Sequence, residues 1–177
     1  SDIRPAEIEE NHAPKRPSSL VADIHHVKVT GVDWTVIVGL LSGKPYEVFA
    51  GRSLQIPTMD KLDSAFVRKN SPKKYSLSMQ IKGNGVDELT DILEIYDNME
   101  QRVITRSVCR ELRHGVPVEY IVRDLQDHEG SLADYSSVLA RVLKRYVSQP
   151  SRLQKSCPQC GKSDWRLVDG CSQCVHC

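Results

Sequence analysis

Five of the six cysteines in this chain lie between Cys157 and Cys177. Cys157-Pro158-Gln159-Cys160-Gly161 has the form of a zinc knuckle. The C-x-x-C step turns the chain so that both thiolates can face one ion, and Gly161 permits the close backbone approach of such a turn. Cys171-Ser172-Gln173-Cys174 repeats the step after ten intervening residues, room for a short hairpin containing Trp165-Arg166-Leu167-Val168. Two steps at this spacing predict a four-thiolate ribbon, with tetrahedral Zn2+ as the leading ion and Cys157, Cys160, Cys171 and Cys174 as ligands. Rubredoxin-like iron satisfies the same spacing. Cys177 is a fifth thiol, one more than a tetrahedral site takes. The spare is Cys177 itself, or Cys171 if Cys174 and Cys177 form the second pair. Such a thiol is either inert or, at a chain end, able to exchange with a partner's disulfide. A secreted scaffold spreads its cysteines over the whole fold, whereas clustering at one end points to metal or thiol chemistry in a reducing, cytoplasmic compartment.

The remaining candidates carry less chemistry. Cys109 falls within an apolar helical pattern and reads as a small buried side chain. His25 and His26 are adjacent on an expected strand, so their rings face opposite sides and do not form a joint metal site. His114 precedes Gly115 at an expected helix C-terminus, where an imidazole suits the helix dipole. His176 is redundant beside five thiols. Arg141, Lys144 and Arg145 read as a solvated helix face. No glycine-rich phosphate loop follows a strand, and no Ser-His-Asp or paired-carboxylate arrangement stands out.

Other elements must position this tail. The 177 residues leave room for one ordinary domain and a small satellite. With 24 Lys and Arg against 23 Asp and Glu, the net charge of +1 gives no general hold on nucleic acid or anionic lipid. The longest apolar run, about Val36 to Leu41, is far short of the roughly 20 residues of a membrane span, and no signal peptide is expected at the N-terminus. Residues 1–19, with Pro5, Pro14 and Pro17, read as a linker or docking arm.

Residues 20–149 read as an α+β domain. Val27 and Val29 alternate with polar neighbours, Trp34 to Leu41 is apolar on both parities, and Tyr46 to Ala50 makes a third strand. Gly31-Val32-Asp33 and Ser42-Gly43-Lys44-Pro45 are the expected turns, and Tyr75, Leu77, Met79 and Ile81 mark another strand. After Gly83-Asn84-Gly85 the period changes. Leu89, Ile92, Leu93 and Tyr96 form one helical stripe, and Met99, Val103, Ile104, Val108 and Leu112 continue it as the apolar face of a longer helix ending at His114-Gly115. Pro117 opens a helix with Val118, Ile121, Val122 and Leu125, and Ser131 with Asp134 caps a last one running to Tyr146. Short turns favour antiparallel pairing, so the fold class is a small antiparallel sheet followed by a helical layer. Residues 150–177 are the cysteine-rich tail, too poor in apolar residues to bury a core of their own.

Several segments together resemble one family. Lys15-Arg16-Pro17, Val27 to Gly39 and Gly43-Lys44-Pro45-Tyr46-Glu47-Val48-Phe49-Ala50 look like the region after the catalytic barrel of adenosylcobalamin-dependent (class II) ribonucleotide reductases. Ile104-Thr105-Arg106-Ser107, Leu112-Arg113-His114-Gly115-Val116-Pro117, Tyr120-Ile121-Val122 and Ala140 to Tyr146 are similar to its helices. Ser156 to Gly161 and Gly170 to Cys177 resemble its C-terminal cysteine module. The resemblance implies a tail that re-reduces the disulfide left in the barrel at each turnover and is recharged by a thioredoxin-like donor. The expected partners are therefore the catalytic barrel, in the same longer chain or as a separate subunit, and that reductant. With that role, Cys157, Cys160, Cys171 and Cys174 are the expected zinc ligands and Cys177 the expected shuttle thiol. Adenosylcobalamin is implied for the catalytic part alone. No counterpart of the barrel is present, so this chain is not expected to reduce nucleotides by itself. Family tails continue beyond the position of Cys177 through Gly-x-Ser-x-Cys, and here the sequence stops. Either that segment is missing, or Cys174 and Cys177 are the working pair and the metal loses a ligand.

The competing reading is a zinc-ribbon adaptor that binds nucleic acid or a protein without redox work. From Ser151 to Cys177 the tail carries Arg152, Lys155, Lys162 and Arg166 against Asp164 and Asp169, a net +2 (4 − 2), with Trp165 as its single aromatic. That is thin for a surface tracking phosphates, so nucleic acid is not the expected partner.

Overall fold

The computed structural model describes residues 8, 10–52, 54–128 and 133–147, and the backbone of 165–168 and 171–174. Six strands form one antiparallel sheet: β1 (Ser19–Val29), β2 (Val32–Leu41), β3 (Lys44–Arg52), β4 (Leu62–Ser71), β5 (Lys74–Ile81) and β6 (Gly85–Leu89), in the order β3-β2-β1-β4-β5-β6. Three helices follow among the described residues, α1 (Met99–Arg113), α2 (Val118–Gln126) and α3 (Ala133–Leu143). The α+β class expected from the sequence is the one found. Among the described residues, no helix is long and apolar enough to cross a membrane.

The hairpins are tighter than the expected turns. Thr30 and Gly31 both have positive φ (47° and 81°), the two-residue geometry whose twist matches the flanking strands. Val32 and Asp33 therefore already belong to β2, and Lys44 and Pro45 to β3.

Register assigns the two faces of the sheet. Ile24 pairs with Ile37 and Ile37 with Phe49, so these share a face, as do Val27 with Trp34 and Val36 with Ala50 on the other. The first face carries Ala22, Ile24, Ile37, Phe49, Ala65, Val67, Leu77 and Met79 in one buried cluster. Phe49 and Tyr75 have ring centroids 5.6 Å apart although β2, β1 and β4 lie between their strands. Laid flat, β3 and β5 would be about 19 Å apart at roughly 4.8 Å per strand, so the sheet curls around this cluster. The opposite face receives α3, with Trp34 edge-on to Tyr135 at 5.7 Å and Val138, Leu139, Val142 and Leu143 buried. Burying each such side chain contributes about 1.5–3 kcal/mol.

One expected helix is replaced by other structure. Leu89 ends β6, and Ile92–Ile95 is a single 3₁₀ turn preceded by Asp91 at φ 53°. The left-handed residue prevents a helix from running through this segment. Ile92 is fully buried in the inner cluster, with Leu89, Leu93 and Ile95 packed against it. The spacing picked out buried residues but not their conformation. The face of α1 also differs from the expected one. Met99 and Val103 are exposed, and the buried positions are Gln101, Thr105, Val108, Cys109 and Leu112. Two of these are polar because Asn98 and Thr105 organise the helix: the Asn98 side chain accepts from the Gln101 N–H, and Thr105 donates to the Gln101 carbonyl while receiving the Tyr135 hydroxyl at 2.6 Å. In α2, Ile121, Val122 and Leu125 are buried as expected.

The end of α3 is tied to β1 by polar contacts. Arg145 donates to His25 Nδ1 (2.9 Å), His25 Nε2 to the Tyr146 oxygen (2.5 Å), and Tyr146 to Asp23 (2.6 Å). Arg141 donates to the Lys28 carbonyl. Arg141 and Arg145 are thus anchors, not the merely solvated cations the sequence suggests. Ser131, the expected cap of α3, lies outside the described residues.

Candidate functional site

The thiols singled out by the sequence fall in the second of the chain's two compact units, Val147–Cys177. Here β7 (Trp165–Val168) pairs antiparallel with β8 (Cys171–Cys174), Val168 opposite Cys171 and Trp165 opposite Cys174. Cys157, Cys160 and Cys177 lie outside the described residues, and Cys171 and Cys174 occupy the two ends of β8. A C-x-x-C pair closing on one ion turns the chain, whereas β8 runs extended between its cysteines. Metal binding by both would draw a strand end into a turn, the usual coupling of ligation to local folding. Among the described residues no cluster of three or more Cys, His, Asp or Glu could hold a metal.

Cys109 sits in the other unit and behaves as a structural thiol. Its Sγ donates to the Val48 carbonyl (3.4 Å) and accepts from the Val48 N–H (3.3 Å). β3 is an edge strand, so α1 covers backbone groups that a neighbouring strand would otherwise satisfy. Burial pushes this thiol up to about 11, which leaves almost no thiolate for redox work near neutral pH. His25 and His26 point to different partners, Tyr146 and Thr35, and share no site. His114 bonds the Arg110 carbonyl at 2.8 Å, closing the last turn of α1.

A second constellation was not singled out from the sequence. Glu47 is fully buried on the inner face and holds two guanidinium groups: Arg16 through both its oxygens (2.6 and 3.0 Å) and Arg113 at 3.2 Å. Its register partner is Gly39, where a Cβ would stand 2.7 Å from Glu47 Cγ. The absent side chain is what lets the carboxylate lie across β2. Arg16 also donates to the carbonyls of Pro17, Ser18 and Val67, and Tyr46 donates to the Pro14 carbonyl, so the segment before β1 is laid against the sheet.

Above this ion triad opens a cleft of about 760 Å³ between α1 and the curled sheet. Phe49, Leu93 and Tyr96 give it apolar walls, and Tyr96 is buried enough that its phenol is pushed well above its ordinary range. The rest is cationic. Arg102, Arg106, Arg110 and Arg113 follow one another along one side of α1, and Lys69 and Lys73 come from β4 and the turn after it. Among the described residues, no Asp or Glu lines it. Arg113 stacks over Tyr46 at 5.2 Å, and Arg16 and Lys69 over Tyr75 at 5.4 and 5.8 Å. Among the described residues Lys69, Lys73, Arg102, Arg106 and Arg110 form no ion pair with a carboxylate. The signal available in the sequence was the recurrence of arginine at 102, 106 and 110 within a predicted helix. It is hidden by a chain-wide charge near zero.

The antiparallel sheet with its three helices defines an α+β domain running from the start of β1 to the end of α3. The chain belongs to the NrdJ homologue C-terminal domain family, whose model matches residues 20–148. The match relates this domain to the class II ribonucleotide reductase NrdJ and supports a ribonucleotide reductase-associated role. Its span ends before Cys157. Comparisons with curated proteins and with solved structures return no match.

Proposed function

We propose that this chain is the C-terminal component of a cobalamin-dependent ribonucleotide reductase, with a zinc-anchored thiol tail that re-reduces the active-site disulfide of the catalytic barrel. The observation that carries the reading is the family match over residues 20–148, followed in the sequence by two C-x-x-C steps and Cys177. Cys157, Cys160, Cys171 and Cys174 are the zinc ligands in this reading. Four thiolates suit tetrahedral zinc, and the ion supplies local folding energy to a segment with little apolar surface to bury. Adenosylcobalamin belongs to the catalytic part, and no residue here is assigned to it.

The redox step assigns a role to Cys177. Its thiolate attacks one sulfur of the barrel disulfide, forming a mixed disulfide and releasing the other sulfur as a thiolate that takes up a proton. A thiol of a thioredoxin-like donor then attacks the Cys177 sulfur and releases the reduced barrel cysteine, and the donor's second thiol attacks the resulting mixed disulfide and frees Cys177. Two electrons pass from the dithiol to the disulfide.

The test is reconstitution with a class II catalytic barrel. Cys177→Ser is expected to abolish turnover driven by a thioredoxin-type reductant while turnover driven by dithiothreitol persists. Unchanged thioredoxin-driven turnover overturns the shuttle. Metal analysis with a thiol count on the native protein is expected to find one zinc, rapid reaction of Cys177, and reaction of Cys109 only on unfolding. No metal, with Cys157 to Cys177 titrating freely, overturns the anchor.

A further inference from the structure

We propose that the cleft between α1 and the curled sheet binds a nucleoside polyphosphate. The inference goes beyond the redox reading and uses no cysteine of the tail. Arg102, Arg106 and Arg110 recur every four residues, so they rise about 6 Å at each step along one side of α1. Lys73 faces them from the turn between β4 and β5, and all four line one concave space. Among the described residues, none has a carboxylate partner and none of the cleft's lining is acidic. In a protein of net charge +1, this is a local excess whose mutual repulsion an anion would relieve. Several guanidinium groups spread along a line match several linked phosphates better than one, since each presents a fork of donors to phosphate oxygens.

The other part of the ligand follows from the walls. Tyr75 and Tyr96, both half-buried, line the cleft and offer aromatic surface that an inorganic anion would not use. A volume of about 760 Å³ falls within the span of small-molecule sites, roughly 300–1,000 Å³. A planar heterocycle joined to a charged chain satisfies both halves of the cleft at once.

The experiment is calorimetric titration of the intact chain with ATP, with sodium tripolyphosphate and with adenosine, at physiological salt. The expected result is one saturable ATP site, tripolyphosphate at least about tenfold weaker, and adenosine weaker still. Arg106 and Arg110 are exposed, so R106E/R110E leaves the fold intact, as an unchanged urea midpoint will show. That variant is expected to weaken ATP by about 100-fold, at roughly tenfold for each charge-assisted hydrogen bond removed. Lys144→Glu, also exposed and outside the cleft, is expected to change ATP affinity by no more than about twofold. Absence of saturable ATP binding, equal affinity for ATP and tripolyphosphate, or equal effects of R106E/R110E and Lys144→Glu would overturn the proposal. Each of those results leaves the tail reading standing, because metal content and thiol exchange are measured on other residues.

Discussion

The two units of this chain, Ser1–Tyr146 and Val147–Cys177, differ in the material from which each can make a fold. The first has strands that bury apolar side chains on both faces and a helix whose core residues are almost fully enclosed. The second offers a hairpin of two four-residue strands and five thiols within 21 positions, Cys157 to Cys177. Apolar burial scales with the surface a segment can enclose, whereas thiolate ligation needs only a few donors at the right spacing. Two neighbouring segments therefore call for different agents, water exclusion in one and proposed metal ligation in the other. The polar chemistry of the first unit is in turn the more demanding, because the buried carboxylate of Glu47 must be matched inside a low-dielectric interior.

That contrast is broken or sharpened most directly at Glu47. Glu47→Ala leaves Arg16, with a side chain only 8% exposed, without its counter-ion, and a loss of about 3–5 kcal/mol is expected in urea unfolding. Next is Gly39→Ala, whose Cβ must displace Glu47 Cγ from 2.7 Å. The expected cost is about 1–3 kcal/mol, and a neutral result would mean the triad can shift without loss. Asn98→Ala removes the side-chain cap of α1, for about 1 kcal/mol by thermal or urea denaturation.

A smaller effect is expected from pH. Burial first, then Arg145, holds His25 below its ordinary value of 6.5, with Asp23 opposing. The unfolded chain takes up the proton more readily, so this contribution is complete above about pH 6.5 and is lost as pH falls below it. Urea midpoints measured between about pH 7.5 and 5.5 should decline, and His25→Gln should flatten that part of the decline. Smallest of all is the expected effect of a zinc chelator on the first unit. Its unfolding midpoint should stay unchanged while tail thiols become reactive, and a coupled loss of both would show that the units fold together.

Much of the first unit was legible in the sequence because its residues sit where their local periods place them. The alternation through Val27 and Val29, the apolar stretch of β2 and the Pro117 start of α2 each follow from a pattern read over a few residues. The stretch from Leu89 to Tyr96 was not legible in the same way. Its spacing suits one side of a helix, yet the inner cluster takes Leu89 from a strand and Ile92 from a 3₁₀ turn. Apolar spacing reports burial, and several backbone paths can bury the same residues. Similarly, Met99 and Val103 looked like core and are exposed, while Gln101 and Thr105 went inside with their hydrogen bonds made.

The α+β class, the order of most elements and the thiol spacing from which a metal-bound tail is expected can all be read along the chain. These are properties of near neighbours along the chain. It takes the folded chain to bring Arg16, Glu47 and Arg113 together, or Lys73 and three arginines of α1, and to lay α1 over the edge of β3 through Cys109. Such meetings depend on how the sheet curls and where a helix lands on it. They join residues tens of positions apart, and nothing in the local period of either partner records the other.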